Sequence, residues 1–330
     1  MSNNLNLHHD IFTIAYSSDE EWLQLRRQGI GGSDAAAVMG LSKYKSPLQC
    51  YRDKVEERDT NADNVHTRKG KTLEPVIREQ YVIPYMEAKG YNVEHPDVML
   101  INRRCHWLRA NLDGLAIPKD LNGKTFADNI VIEIKWVSEY AESRWFGDEY
   151  CGIPAEYYAQ VQHYMCVTGA SKAIVCALFD SSWEMHYFEV PYDLKFAVKL
   201  LDATKSFYER NLKANVPPRI TISLDKEDEL QLLSTTPAVT TPSEELREKC
   251  RQYTALKDEL AALEKEVQKL HDDIFADYLE GKVPDGQFKM SVSKRTTVRV
   301  DQHRLKTMYP DVYEDCKSTN EYTVHTVKRI

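Results

Sequence analysis

At 330 residues the chain can bury a full core and carry a second module. With 42% hydrophobic and 28% charged residues it has the composition of a globular protein, and no run of about 18 apolar residues exists to span a bilayer. The formal charge of −8 excludes a uniformly basic nucleic-acid binder.

That charge is unevenly placed. Residues 26–71 hold ten Lys/Arg against six Asp/Glu, residues 282–330 again hold ten against six, and residues 222–281 hold seven against fifteen. Basic surface can therefore meet a polyanion locally, although ordinary solvated faces account for the same counts. Seven cysteines (Cys50, Cys105, Cys151, Cys166, Cys176, Cys250, Cys316) are dispersed with no C-x-x-C pair. This argues against a zinc ribbon and fits reduced thiols in a cytoplasm. The start, MSNNLNLHHDIFTIAY, lacks the basic and apolar regions of a signal peptide, so a cytoplasmic location is expected.

In chain order, residues 1–16 read as a flexible arm. Ser18 and Glu21 have capping-box spacing and open a helix through EEWLQLRRQG that Gly29 ends. IGGSDAAAVMG is a glycine turn leading into a second helix, with Ser33 or Asp34 as N-cap and Gly40 as stop. Backbone N–H groups at such a turn, with Arg26 or Arg27 nearby and the Ser33 hydroxyl, would form an anion site; a plain capped helix with solvated arginines is the alternative. Ser46 and Pro47 open the helix PLQCYRDKVEE. After the polar RDTNADN, one long helix is expected over HTRKGKTLEPVIREQYVIPYMEAKG, closed by Gly90. Its Leu73, Ile77 and Tyr81 form an apolar stripe flanking Glu74, which is either an N-terminal-turn charge or a ligand pointing into a cleft.

Three runs of strand character follow, YNVEHPDVMLI, HWLRANLDGLAI and NIVIEIKWV, in an antiparallel meander. Ser138 to Trp145 reads as a short helix. Pro154 opens another, AEYYAQVQHYMCVTG, in which Tyr157, Gln160, Val161 and Tyr164 share a face. AIVCALFD and EMHYFEV read as a hairpin, and DLKFAVKLLDATKSFYERNL as a covering helix. This order implies an α/β fold with a central mixed sheet flanked by helices over residues 17–216. Pro- and Thr-rich text marks residues 217–242 as a linker. In residues 243–281, Tyr253, Leu256, Leu260, Leu263, Val267, Leu270 and Ile274 repeat at three and four residues, a coiled-coil seam that can pack on another copy or, as the favoured expectation, back on its own chain. Residues 282–330 read as a small α+β module, where Lys294, Arg295 and Arg299 could touch a phosphate backbone or simply line an exposed strand.

The chemistry concentrates in VIEIKWV. In a strand over residues 131–136, Ile132 and Ile134 enter a core while Glu133 and Lys135 emerge together on the other face. Asp113, in the preceding strand-like run, can come level with them across a hairpin. Two carboxylates can hold a divalent cation, and a lysine beside them can orient or deprotonate the attacking water, which is equipment for cutting a phosphodiester. The same text also describes a half-exposed strand with a cross-strand ion pair.

Five features in this order resemble the phage-type recombination nucleases of the YqaJ and lambda exonuclease group, within the PD-(D/E)XK superfamily. They are the W-x-x-L-R run with IGGSD, the G-x-x-x-E of Gly70 to Glu74, the LDG of Asp113, the EIK of Glu133 and Lys135, and Y-x-x-Q-V-Q-H-Y-M around Gln160. The resemblance implies a restriction-endonuclease-like core. It implies Mg²⁺, with Mn²⁺ able to substitute, held by Asp113, Glu133 and the Ile134 carbonyl, with Glu74 serving the metal or its water network. It gives Lys135 and Gln160 the task of positioning the attacking water, and it gives Arg26 and Ser33 the 5′-phosphate. Tyr164 is placed with them at the substrate.

The function so implied is a 5′ to 3′ exonuclease on double-stranded DNA ends in phage or prophage recombination, leaving a 3′ strand for an annealing partner. A trimeric ring is a further expectation from the relatives. A structure-specific or nicking endonuclease, and a non-catalytic DNA-binding or partner-recruiting protein, are the alternatives.

Overall fold

The computed structural model describes residues 8–55, 65–221, 224–225, 243–282, 306–308 and 310–311. The chain divides into two compact units, Met1–Leu232 and Leu233–Ile330. Most of the linker expected at 217–242 and of the module expected at 282–330, including Lys294, Arg295 and Arg299, lies outside the described residues. Among the described residues no helix is long and apolar enough to cross a membrane.

The first unit begins with a strand where a flexible arm is expected. β1 (Ile11–Ala15) pairs antiparallel with β4 (Val98–Asn102), Ile11 opposite Asn102 and Ala15 opposite Val98. The alternating IFTIA supplies apolar side chains to one face, which is enough for a strand once a partner edge is available. Helix α1 (Asp19–Arg27) starts at the expected cap: the Ser18 hydroxyl accepts the Glu21 N–H at 3.2 Å, while the Glu21 carboxylate reaches back to Ser17. β2 (Ile30–Gly31) leads directly into α2 (Gly32–Val38), and α3 (Pro47–Val55) follows. The N-cap of α2 is Gly31, two residues before the nearer expected cap, because Asp34 sits inside the first turn and accepts the Gly31 N–H at 3.1 Å.

The single helix expected up to Gly90 is three segments, α4 (Val65–Ile77), a π-helical turn (Arg78–Val82) and α5 (Ile83–Ala88). Pro84 has no N–H to give the carbonyl four residues back, and the Ile83 N–H bonds instead to the Arg78 carbonyl, five residues back. The expected strand HWLRANLDGLAI is also divided, into β5 (Leu108–Arg109), paired parallel with β2, and β6 (Gly114–Pro118). Between them Asn111 turns its amide to Trp22 Nε1, Tyr16 and the Val98 carbonyl, which holds the chain as it passes from one sheet to the next.

The central sheet has the order β3 (Tyr91–Glu94), β6, β7 (Ile130–Val137), β8 (Lys172–Phe179), β9 (Met185–Pro191). All neighbours are antiparallel except β7 and β8, so the sheet is mixed. One face packs Ile132, Ile134, Ile174 and Cys176 against Ile77, Val82 and Met86 of the α4–α5 segment. The other face packs Val131, Val137, Val175 and Ala177 with Val161 and Met165 of α6 (Ala155–Thr168). α7 (Leu194–Phe207) adds Phe207 to that layer. The result is a mixed α/β fold, with β7 buried between two layers of helix.

In the second unit, the long helix Glu244–Leu279 is capped by Ser243, whose hydroxyl accepts the Leu246 N–H at 3.2 Å. Its seam residues are exposed throughout, from 49% at Tyr253 to 65% at Leu256.

Candidate active site

Strand alternation on β7 puts Glu133 and Lys135 on the face that looks toward α6, with Ile132 and Ile134 in the opposite core. Pairing of Gly114 with Ile132 brings Asp113, just before β6, to the same level. A Cβ at Gly114 would lie 3.2 Å from Ile132 Cβ and 3.3 Å from Val93 Cγ1, so glycine permits this close approach. The Asp113 carboxylate accepts the backbone N–H of Ile134 at 2.7 Å.

Helix α6 completes the arrangement. The Gln160 amide donates to Glu133 Oε1 at 2.7 Å and reaches the Tyr164 hydroxyl at 3.1 Å. The Lys135 ammonium bonds the same Glu133 oxygen and stands 5.0 Å from the centre of the Tyr157 ring. Glu133 is 1% exposed, and its second oxygen is buried with no hydrogen-bond partner.

Burial, with the charge of Glu133, pushes the Asp113 carboxyl well above the ordinary carboxylate range. Burial raises Glu133 too, against the pull of Lys135. For Lys135, burial would lower the ammonium, but the carboxylates of Glu133 and Asp113 outweigh it and hold the group charged. Two buried acids that resist ionisation, one carrying an orphaned oxygen, form a donor set suited to a hard divalent cation, which would satisfy both.

Glu74 lies on α4 at the same cavity, and its charge adds to the repulsion felt by Asp113 and Glu133. Its Oε1 is bonded by Arg78 Nη2 at 2.6 Å. Among the described residues, only His8, His9 and Asp10 bring three metal-ligating atoms within 4.8 Å of one another. The His8, His9, Asp10 group is a poor rival, because Arg104 Nε already pairs with Asp10 at 2.5 Å.

The glycine turn forms the opposite part of the site. Arg26, in the last turn of α1, donates from Nη2 to the Ser33 hydroxyl at 2.6 Å. Behind them Asp34 is buried among Lys54 at 2.8 Å, Lys45 at 3.2 Å and Arg26 at 3.7 Å. Burial alone would raise Asp34, but these three cations hold it well below the ordinary range. Asp34 was legible only as a possible cap, because its cations come from α1, α3 and the loop before α3, and no local spacing announces them. In the sequence Tyr157 is likewise one of several residues on a helix face, and no local spacing announces its place over Lys135.

All nine residues singled out in the sequence, Arg26, Ser33, Glu74, Asp113, Glu133, Ile134, Lys135, Gln160 and Tyr164, line one cavity of about 810 Å³. Tyr164 is only 6% exposed, with its ring against Gly32 and its hydroxyl on Gln160. Its contacts are with the protein's own machinery.

Residues 21–171 match the sequence model of the YqaJ-like viral recombinase domain. Over 321 residues the chain is 24% identical to the uncharacterized protein YqaJ of Bacillus subtilis (strain 168), covering 95% of each. Among solved structures it is similar to the alkaline exonuclease LHK-Exo from Laribacter hongkongensis, with a TM-score of 0.45, 18% identity and coverage of 66% of this chain and 100% of that one. A phage related exonuclease from Haemophilus somnus 129PT gives a TM-score of 0.42, 13% identity and coverage of 59% and 99%.

Proposed function

We propose, from the match of residues 21–171 to the YqaJ-like viral recombinase domain, that the protein is a Mg²⁺-dependent exonuclease. It degrades double-stranded DNA from its ends in the 5′ to 3′ direction and leaves a 3′ single strand for phage-type recombination. The observation that carries this reading is the meeting of Asp113, Glu133, Lys135 and Gln160 at the cavity that also holds Arg26 and Ser33.

In this reading the carboxylates of Asp113 and Glu133 and the carbonyl of Ile134 hold Mg²⁺, for which Mn²⁺ can substitute, and Glu74 serves the ion's water network. An ion held there would supply positive charge against that developing on the phosphate as the phosphodiester is cut. Lys135, whose ammonium is favoured by the carboxylates of Glu133 and Asp113, donates a hydrogen bond and balances charge. Gln160, fixed by Glu133, orients the attacking water. Arg26 and Ser33 offer a guanidinium and a hydroxyl to the 5′-phosphate, a charge-assisted contact that favours phosphorylated ends. A single-strand annealing protein to receive the 3′ strand and a trimeric ring to give processivity complete the proposal.

The experiment compares linear 5′-phosphorylated duplex with covalently closed circular duplex in Mg²⁺, with and without EDTA. Linear DNA is degraded from its ends, the circle is untouched, and EDTA stops the reaction. Cutting of the closed circle would favour the endonuclease reading. No hydrolysis of either DNA in Mg²⁺ or Mn²⁺ would leave a binding protein built on a nuclease core.

A further inference from the structure

The glycine turn and the carboxylate cluster are linked by one aromatic ring. A Cβ on Gly32 would fall 2.3 Å from Tyr164 Cε1, 2.6 Å from Cζ and 2.9 Å from the hydroxyl oxygen, so the backbone of the turn lies against the hydroxyl end of the ring. The same hydroxyl meets Gln160 Nε2 at 3.1 Å, and that nitrogen donates to Glu133 Oε1 at 2.7 Å. Ser33 follows Gly32 directly and is bonded by Arg26 at 2.6 Å. These contacts therefore join Arg26 to Glu133 in one chain.

The turn has little freedom to move apart from this ring. A Cβ on Gly29 would meet the Trp107 carbonyl at 2.6 Å, and Asp34, itself held by Lys45 and Lys54, binds the Gly31 N–H at 3.1 Å. Helix α6 is anchored as well: His163 Nε2 bonds the Arg109 carbonyl at 3.0 Å, and Arg109 is paired with Gly31. Close-packed groups of this kind shift together or not at all.

We infer that the Tyr164 ring, seated between Gly32 and the Gln160–Glu133 pair, sets the spacing between the end-binding turn and the cutting site and thereby fixes the length of the product. This rests on the nuclease reading above. If a terminal phosphate sits at Arg26 and Ser33 while the scissile phosphate sits at Asp113 and Glu133, the number of nucleotides released equals the number that spans the gap. A rigid gap admits one number; a gap that can breathe admits neighbouring ones. Tyr164 is then a positioning residue, with its packing against Gly32 governing register and its hydrogen bond governing the orientation of Gln160.

The test resolves, by mass spectrometry, the products released from a 5′-phosphorylated duplex by the full chain and by Tyr164→Phe, Tyr164→Leu and Gly32→Ala, each checked for cooperative thermal unfolding. The wild type releases products of one length. Tyr164→Phe keeps that length and loses about fivefold in kcat, the effect of one hydrogen bond. Tyr164→Leu and Gly32→Ala release a mixture of lengths, and their preference for 5′-phosphate over 5′-hydroxyl ends falls severalfold. Should Tyr164→Leu fail to fold, Gly32→Ala carries the test, since it displaces the ring while leaving the core residue in place. Unchanged product length in the folded variants, or altered length in Tyr164→Phe, overturns the inference and leaves the nuclease reading standing. Absence of hydrolysis by the wild type in Mg²⁺ and Mn²⁺ removes that reading first.

Discussion

The Asp113 carboxylate accepts the Ile134 backbone N–H at 2.7 Å, so the acid at the start of one strand is tied to the next strand beside Glu133. Asn can accept the same bond without the charge. Asp113→Asn is therefore expected to unfold at or slightly above the wild-type temperature, since a source of repulsion on Glu133 is gone, while hydrolysis falls by on the order of a thousandfold. Asp113→Ala loses the bond as well and is expected to be both inactive and less stable. Rate assays paired with thermal melts separate the two effects, and full activity in either variant contradicts the assignment.

Arg26 and Ser33 lie in one hydrogen bond of 2.6 Å and are assigned to the 5′-phosphate. Ser33→Ala and Arg26→Met are each expected to reduce the ratio of rates on 5′-phosphorylated and 5′-hydroxyl duplexes by about tenfold, the scale of one charge-assisted hydrogen bond. Rates on the hydroxyl ends should change much less. A uniform loss on both substrates would place these residues outside end recognition.

What the text of the chain made legible is the part built from short-range periodicity. β7 is readable because Ile132 and Ile134 alternate with Glu133 and Lys135, and Gln160 and Tyr164 are readable as neighbours because they are one helical turn apart. The sheet's mixed character follows from strands divided by a helix. The π-helical turn at Arg78–Val82 and the strand at Ile11–Ala15 were not legible. The first depends on how Pro84 disturbs a helix already formed, and the second on a partner edge more than eighty residues away. Asp34 escaped for the same reason, because its meaning lies in Lys45 and Lys54, which only folding brings to it.

That cluster has its own consequence. Asp34 is buried and compensates Arg26, Lys45 and Lys54. Asp34→Asn leaves those cations with less compensation and is expected to destabilise the protein by about 3 to 5 kcal/mol, as removal of one partner from a buried ionic group does. Denaturant unfolding measures this, and a change below about 1 kcal/mol, the scale of a surface pair, would show the cluster to be solvated.

His163 supplies the pH dependence. Burial lowers its imidazole from 6.5 to about 4, and its Nε2 bonds the Arg109 carbonyl at 3.0 Å. The unfolded chain takes up this proton near pH 6.5 and the folded chain only near pH 4, so the unfolded state binds more protons between these values and stability falls as pH is lowered through them. The loss amounts to on the order of 3 kcal/mol. His163→Gln, which can still donate to the Arg109 carbonyl, is expected to show a flatter decline than the wild type over pH 6.5 to 4 in parallel urea titrations. Equal slopes would mean that the buried imidazole is not the group responsible.

The cation itself gives the most direct measurement. Crystals grown with Mn²⁺ and measured at its absorption edge locate the ion by anomalous scattering. The expected result is a peak ligated by Asp113, Glu133 and the Ile134 carbonyl, absent in Asp113→Ala. A peak confined to His8, His9 and Asp10, or a fully active Mn²⁺-bound enzyme with no ion between Asp113 and Glu133, would contradict the site.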